Sequence, residues 1–147
     1  MYLIDGNNLI GHTKSMSHKD PRARQILLDR LQPFLELKRR KATVVFDGTS
    51  EPLKKTRWMH LVFSGTSATA DDNIRGQVEA SKASKELCVV SSDNGVYGYA
   101  RTCGVTALRC HEFNRLLKEN EQRVAPENRD LQIENLQHWL RYFGEEE

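Results

Sequence analysis

A chain of 147 residues has room for one compact domain around one hydrophobic core, and 38% hydrophobic with 29% charged residues is the balance of a globular chain, not a disordered one. No apolar run approaches the ~20 residues that cross a bilayer, and Met1–Asp5 reaches a charge too early for an export signal, so the expectation is a cytoplasmic protein with no membrane partner. The net charge of +2 is unevenly spread: residues 1–73 carry 12 Lys/Arg against 8 Asp/Glu, and residues 74–147 carry 10 against 12.

Tyr2-Leu3-Ile4 reads as a short buried strand ended by Asp5-Gly6-Asn7-Asn8, with a polar loop over residues 7–19. Asp20-Pro21 is a helix start, an acid to cap free N–H groups and a proline suited to the first helical position. Ile26, Leu27, Leu31, Phe34 and Leu35 then recur at helical spacing. Thr43–Phe46 is a β-branched second strand closed by Asp47-Gly48, followed by a basic loop from Thr49 to Arg57 and a third strand at Leu61–Phe63. Asp71-Asp72 opens a helix expected to reach about Glu86. Leu87–Val90 is a fourth strand closed by Ser91-Ser92-Asp93, Gly95–Thr102 a short helix, Val105–Leu108 a fifth strand, and His111–Lys118 a helix followed by a polar connection over 119–129. Leu131, Ile133, Leu136, Trp139, Leu140 and Phe143 mark an amphipathic C-terminal helix at about 128–143, placed to dock on the domain or on a second copy; a monomer or weak dimer follows. Cys88, Cys103 and Cys110 have no CxxC spacing and read as reduced, mostly buried thiols.

Continuous apolar strands alternating with helices imply an α/β fold, a central, mainly parallel sheet covered by helices on both faces, spanning residues 1–147 as one domain. In such sheets ligands bind at the carboxyl ends of the strands. Asp5 ends strand one, Asp47 strand two and Asp93 strand four, while Asp71 and Asp72 lie just past strand three. If the strands run parallel, these acids meet at one edge. Carboxylates crowded together raise one another's pKa, and a cation relieves the strain; an all-oxygen set favours a hard ion, Mg²⁺ or Mn²⁺. Each acid also has an ordinary structural role: Asp-Gly turns for Asp5 and Asp47, helix capping for Asp71, Asp72 and Asp93. The convergence of all of them is what points to chemistry. Asn7 is a candidate to hold water or phosphate; Asn8 is better explained by an Asx turn. Thr69 and Ser91, each two residues before an acid, have hydroxyls able to orient carboxylates, or simply cap.

Tyr-Leu-Ile-Asp-Gly-Asn-Asn (2–8), Val-Val-Phe-Asp-Gly (44–48), Thr-Ala-Asp-Asp (69–72) and Val-Ser-Ser-Asp-Asn (90–94) resemble the NYN branch of the PIN-like nucleases, the YacP-like members most closely, over roughly residues 1–115. The resemblance implies a PIN-like three-layer sandwich, divalent-metal use and endonucleolytic RNA cleavage leaving a 5′-phosphate. By position it implies catalytic Asp5, Asp71 and Asp93, with Asp47 and Asp72 as further metal-binding acids and Asn7, Thr69 and Ser91 in support.

RNA is the expected partner, with the ribosome as a particle that would present it. Lys14 and Lys19 on the first loop, Lys54, Lys55 and Arg57 on the second, and Arg75 one turn into the third helix are the expected RNA contacts. Arg101 reads as a surface charge, Trp58 as core packing ahead of base stacking, and His12 and His18 as loop residues within reach of substrate but given no role. The competing function is a catalytically inactive RNA-binding or regulatory module of the same fold. Other phosphate-handling folds fit poorly: Asp5-Gly6-Asn7 lacks the second acid of a dehalogenase-type phosphotransferase, residues 105–110 lack a receiver-type lysine, and no GxGxxG follows strand one.

Overall fold

The computed structural model describes residues 1–81 and 86–127. Five strands, β1 (Tyr2–Asp5), β2 (Ala42–Phe46), β3 (Met59–Phe63), β4 (Cys88–Val90) and β5 (Thr106–Leu108), form one sheet in the order β3-β2-β1-β4-β5. Every neighbouring pair is parallel. The chain first builds outward from β1 through β2 to β3, then crosses to the other side for β4 and β5. The strand order therefore reverses beside β1, the place where an open α/β sheet leaves a crevice at its carboxyl edge.

Why these runs are continuous rather than alternating follows from the two covered faces. Tyr2, Ile4, Ala42, Val44, Phe46, Cys88 and Val90 point to one face and pack under α2 (Ala23–Lys38) and α5 (Cys110–Glu127) through Leu27, Leu28, Leu31, Phe34, Phe113 and Leu117. Leu3, Val45 and Val89, the alternate residues, point to the other and pack under α3 (Ala70–Ser81) and α4 (Asn94–Thr102) through Ile74, Val78, Val96 and Ala100. The result is the expected three-layer α/β sandwich.

Four expectations change in detail. The start of the 7–19 loop is helical: α1 (Gly6–Gly11) turns directly out of β1, burying Leu9 and Ile10. Asp20-Pro21 makes a turn ahead of α2 instead of its first turn, with Asp20 Oδ1 accepting the Arg22 N–H at 2.8 Å and the Ala23 N–H reaching the Asp20 carbonyl at 3.0 Å. The helix from Asp71 starts one residue early and is described to Ser81; residues 82–85, the end of the expected span, lie outside the described residues. The expected break after Lys118 is absent: α5 runs to Glu127, because Asn120 continues the buried stripe of Phe113 and Leu117 and Glu121 pairs with Arg30 of α2 at 3.5 Å. The helix expected at about 128–143 lies outside the described residues. Among the described residues no helix is long and apolar enough to cross a membrane.

Candidate active site

Asp5, Asp47, Asp71 and Asp93 line one cleft of about 440 Å³ at the carboxyl edge, together with Asn7, Asn8, His18, Thr69 and Ala70. Each acid arrives from a different element, and each is held by backbone geometry that its neighbours dictate.

Asp5 is the innermost, the last residue of the central strand and 7% exposed. Its Oδ2 accepts a hydrogen bond from the Ser91 hydroxyl at 3.1 Å. Burial pushes its pKa up to about 6; the Ser91 hydroxyl and the backbone N–H of Asn8 pull it down, and the negative charges of Asp47 and Asp71 add to the rise. Ser91, 1% exposed, also accepts the Asp93 N–H at 3.1 Å, so one hydroxyl ties two of the acids together.

The two asparagines after Asp5 act as brackets. Asn7 Oδ1 accepts the Asp47 N–H at 3.0 Å, fixing the end of β2. Asn8 Oδ1 accepts the Ser92 N–H at 2.7 Å and the Cys110 thiol at 3.2 Å, fixing the loop after β4 and the start of α5. Asn8 is thus a long-range clamp and not the local Asx turn its sequence position suggests. Gly6 permits this: a Cβ there would overlap the Phe46 ring and come 3.0 Å from the Val45 carbonyl.

Asp47 Oδ1 accepts the Ala70 N–H at 2.7 Å, which joins the end of β2 to the start of α3. Arg24 of α2, unmarked in the sequence, braces the same turn. It donates to the Asp47 carbonyl at 2.6 Å, pairs with Glu51 at 3.1 Å and lies 4.9 Å from the Phe46 ring centroid. Asp93 caps α4, accepting the Val96 N–H at 3.0 Å through Oδ1. Asp71 pairs with Arg75 one turn on at 3.2 Å; both are about two-fifths exposed, so solvent screens this pair to a fraction of a kcal/mol.

Asp72 does not face the cleft. Its carboxylate meets the Thr69 N–H at 3.4 Å while the Thr69 hydroxyl accepts the Asp72 N–H at 3.1 Å, a reciprocal cap on α3. Thr69 is therefore both a cap and a wall of the cleft. His18 forms another wall, and Gly11 leaves the room for its imidazole, since a Cβ there would lie 2.7 Å from Nε2. His12 is turned to the Asn8 carbonyl at 2.9 Å.

Of the expected RNA contacts, Arg75 stands beside the acids, Lys19 is exposed next to His18, and Lys14 is exposed on the same loop. Lys54 is exposed, its backbone tied to the Gln25 side chain in the first turn of α2, beside the Arg24 that reaches Asp47. Lys55 and Arg57 go elsewhere. Lys55 Nζ reaches the Met59 carbonyl at 3.4 Å, Arg57 lies 5.1 Å from the Trp58 ring, and the Trp58 carbonyl accepts the N–H of Ala42, the first residue of β2. The loop from β2 has by then returned to the amino edge of the sheet, as a parallel connection must. Trp58 packs half-buried against the core. Burial raises the pKa of the Cys88 and Cys110 thiols.

The side-chain donors lining the cleft are oxygens of carboxylates, amides and the Thr69 hydroxyl, apart from the His18 ring, and this suits Mg²⁺ or Mn²⁺. Among the described residues no three His, Cys, Asp or Glu side chains stand together as a direct chelate. An open set of this kind fits an ion that keeps several of its waters.

A parallel α/β sandwich with acids from four elements gathered at its switch point defines a nuclease-type fold of the PIN-like class. Residues 2–142 match the family model of the YacP-like NYN domain, and the chain belongs to that family, whose fold is that of RNA-related nucleases. Two crystal structures of Rae1 (YacP) from Bacillus subtilis share the fold. The unsubstituted protein superposes with a TM-score of 0.77 at 21% identity, covering 99% of this chain and 88% of that one. A tryptophan-to-leucine mutant gives 0.77 at 22%, covering 90% and 84%. No curated protein matches this chain.

Proposed function

We propose that this protein is a divalent-metal-dependent endoribonuclease of the cytoplasm that hydrolyses phosphodiester bonds in single-stranded RNA. The observation that carries the reading is the gathering of Asp5, Asp47, Asp71 and Asp93 on one open cleft, where among the described residues only Asp71 has a cationic partner. Membership of the YacP-like NYN family supports RNA as the substrate. Asp5, Asp71 and Asp93 are the residues to hold the ion, with Asp47 flanking them. A Mg²⁺ or Mn²⁺ ion held there would supply Lewis acidity, easing deprotonation of the attacking water and offsetting charge on the phosphoryl transition state.

The chain's own groups do the rest. Ser91 fixes the rotamer of Asp5 and the backbone of Asp93 from one hydroxyl. Asn7 and Asn8 hold the flanking loops at a set distance from Asp5. Arg75 and His18 stand at the cleft to meet a phosphate. Asp72, as a cap, acts through the placement of Asp71.

Purified protein is incubated with structured and unstructured RNAs in Mn²⁺, in Mg²⁺ and in EDTA, alongside Asp93→Asn. Asparagine still caps α4, so this variant removes charge without removing the helix start. Cleavage that requires metal and is lost in the variant is the expected result. Cleavage only of RNA loaded on ribosomes would make the ribosome the presenting partner. RNA binding without cleavage in any setting, ribosomal RNA complexes included, would replace this reading with an inactive RNA-binding module.

A further inference from the structure

Beside the acid cleft, α4 carries a group of side chains that no role above uses. Ser92 and Asn94 flank Asp93, and one arginine holds both: Arg109 Nη1 donates to the Ser92 carbonyl at 3.1 Å and to Asn94 Oδ1 at 2.9 Å. The same guanidinium lies 3.7 Å from the centroid of the Tyr97 ring. One turn further along α4, Arg101 Nη1 donates to the Tyr97 hydroxyl at 3.1 Å, with its guanidinium 5.7 Å from that ring. These partners are a carbonyl, an amide, a phenol and a ring, all neutral. Among the described residues the ion-paired arginines are Arg22, Arg24, Arg30 and Arg75, and neither Arg101 nor Arg109 belongs to them.

Two guanidinium charges are thus concentrated on one tyrosine, and among the described residues neither is in a salt bridge; the Glu112 carboxylate beside Arg109 accepts its backbone N–H at 2.9 Å. Placing two cations on one ring raises their mutual repulsion, which an anion between or above them relieves. A guanidinium presents a planar fork to a phosphate and a flat face to a base. Arginine interleaved with an aromatic ring is the chemistry that grips a single strand without reading its sequence. The position fits as well: Tyr97 is about 6 Å and Arg101 about 12 Å along the helix from Asp93, so the group leads straight away from the acids.

We infer that Tyr97, Arg101 and Arg109 form a seat for the phosphates of single-stranded RNA flanking the bond to be cut, so that the strand leaves the acid cleft over α4. This rests on the nuclease reading above. It also moves the RNA path away from Lys55 and Arg57, which lie beside Met59 and Trp58 where the loop enters β3.

The test is fluorescence anisotropy with a short, labelled, unstructured RNA in EDTA, where binding is read without cleavage, over a series of salt concentrations. Arg101→Gln is the main variant, since Arg101 is exposed and, among the described residues, its hydrogen bond goes to the Tyr97 hydroxyl alone. Arg109→Gln is run with a melting curve, because Arg109 also supports the loop around Asp93. Lys118→Gln, exposed on α5, is the control, and Arg57→Gln represents the rival path. Arg101→Gln is expected to weaken binding about five- to tenfold and to flatten the salt slope by about one phosphate contact, and to raise the KM for cleavage more than it lowers kcat. Lys118→Gln should bind within about twofold of the unsubstituted protein. If the unsubstituted protein binds and cuts RNA while Arg101→Gln and Arg109→Gln bind equally well, the seat is refuted and the nuclease reading stands. Loss of binding in Arg57→Gln with none in Arg101→Gln has the same meaning and sends the strand over the amino edge. Absence of RNA binding by the unsubstituted protein overturns the seat, and it overturns the nuclease reading as well if ribosome-loaded RNA is not cut either.

Discussion

Asp5 is a carboxylate kept where its charge is unwelcome. Its folded-state pKa of about 6 lies above the ordinary 3.8, chiefly through burial. Between those two values the folded chain holds a proton that the unfolded chain has released. Stability therefore falls as pH rises through about 4 to 6, and above that window the whole penalty is present, roughly 2–3 kcal/mol if all of the shift counts. Asp5→Asn removes the charge yet leaves an oxygen to accept the Ser91 hydroxyl. In EDTA near pH 7 it should melt at a higher temperature than the unsubstituted protein and lose the pH 4–6 slope, while cleavage in Mn²⁺ disappears. Equal melting temperatures at neutral pH would mean that Asp5 bears no such penalty. Ser91→Ala tests the next shell: it strips a donor from Asp5 and an acceptor from the Asp93 amide, and a Mn²⁺ titration of cleavage should shift 10- to 100-fold. An unshifted titration would leave Ser91 a packing residue. Part of this was legible in the sequence, since every acid of the cleft closes an apolar run or opens the helix after one. Asp71 and Asp72 could not be told apart by type or spacing; about 100° of helical rotation puts one on the cleft and the other on Thr69. Asn8 was misread for a different reason, its partners being 84 and 102 residues away.

The elements around the site depend on a few backbone positions. α1 went unseen as a helix because it spans six residues, too few to show a period, and its reason for forming is tertiary: Leu9 and Ile10 fill the core beside β1. Gly6 sets how closely that turn approaches β2. Gly6→Ala drives a methyl into the Phe46 ring, and overpacking of this kind typically costs about 1–3 kcal/mol. Because Asn7 and Asn8 ride on the same turn, cleavage by the folded fraction should fall as well; a loss of stability alone, read by urea denaturation beside the rate, would uncouple α1 from the site. α2 offers the opposite case. It carries Pro33 in its interior, which offers no N–H to the Asp29 carbonyl one turn back, and it ends at Arg39 with φ of 51°, a left-handed residue whose N–H reaches the Leu35 and Glu36 carbonyls. Glycine adopts that conformation without the Cβ clash, so Arg39→Gly should stabilise the protein by about 1 kcal/mol with the cleavage rate unchanged, as a shift of the denaturation midpoint would show.

Taken as a whole, the molecule separates what holds it together from what it does, along the strand axis. At the amino edge, Tyr2, Phe34 and Phe113 pack ring against ring, with centroids 5.4 to 5.8 Å apart. Asp5 lies three residues further along the same strand, about 10 Å away. The three-layer order was readable from the alternation of apolar runs and helical patterns; the length of α5 was not, because its stripe passes through the buried Asn120, a polar residue that no periodicity count credits. Phe113→Leu removes part of the aromatic cluster and should lower stability by about 1–2 kcal/mol, with metal-dependent cleavage by the folded protein within about twofold of normal. Asp5→Asn should do the reverse, gaining stability and losing cleavage, and the pair measured together tests whether the two edges are independent. One connection runs between them: α5 carries Phe113 and begins at Cys110, whose thiol donates to Asn8 Oδ1 at 3.2 Å. If Phe113→Leu slows cleavage under conditions where denaturation curves show it fully folded, the disturbance has travelled along α5 into the Asn8 clamp, and Cys110→Ala, which cuts that link and leaves the aromatic cluster intact, should slow cleavage in the same way.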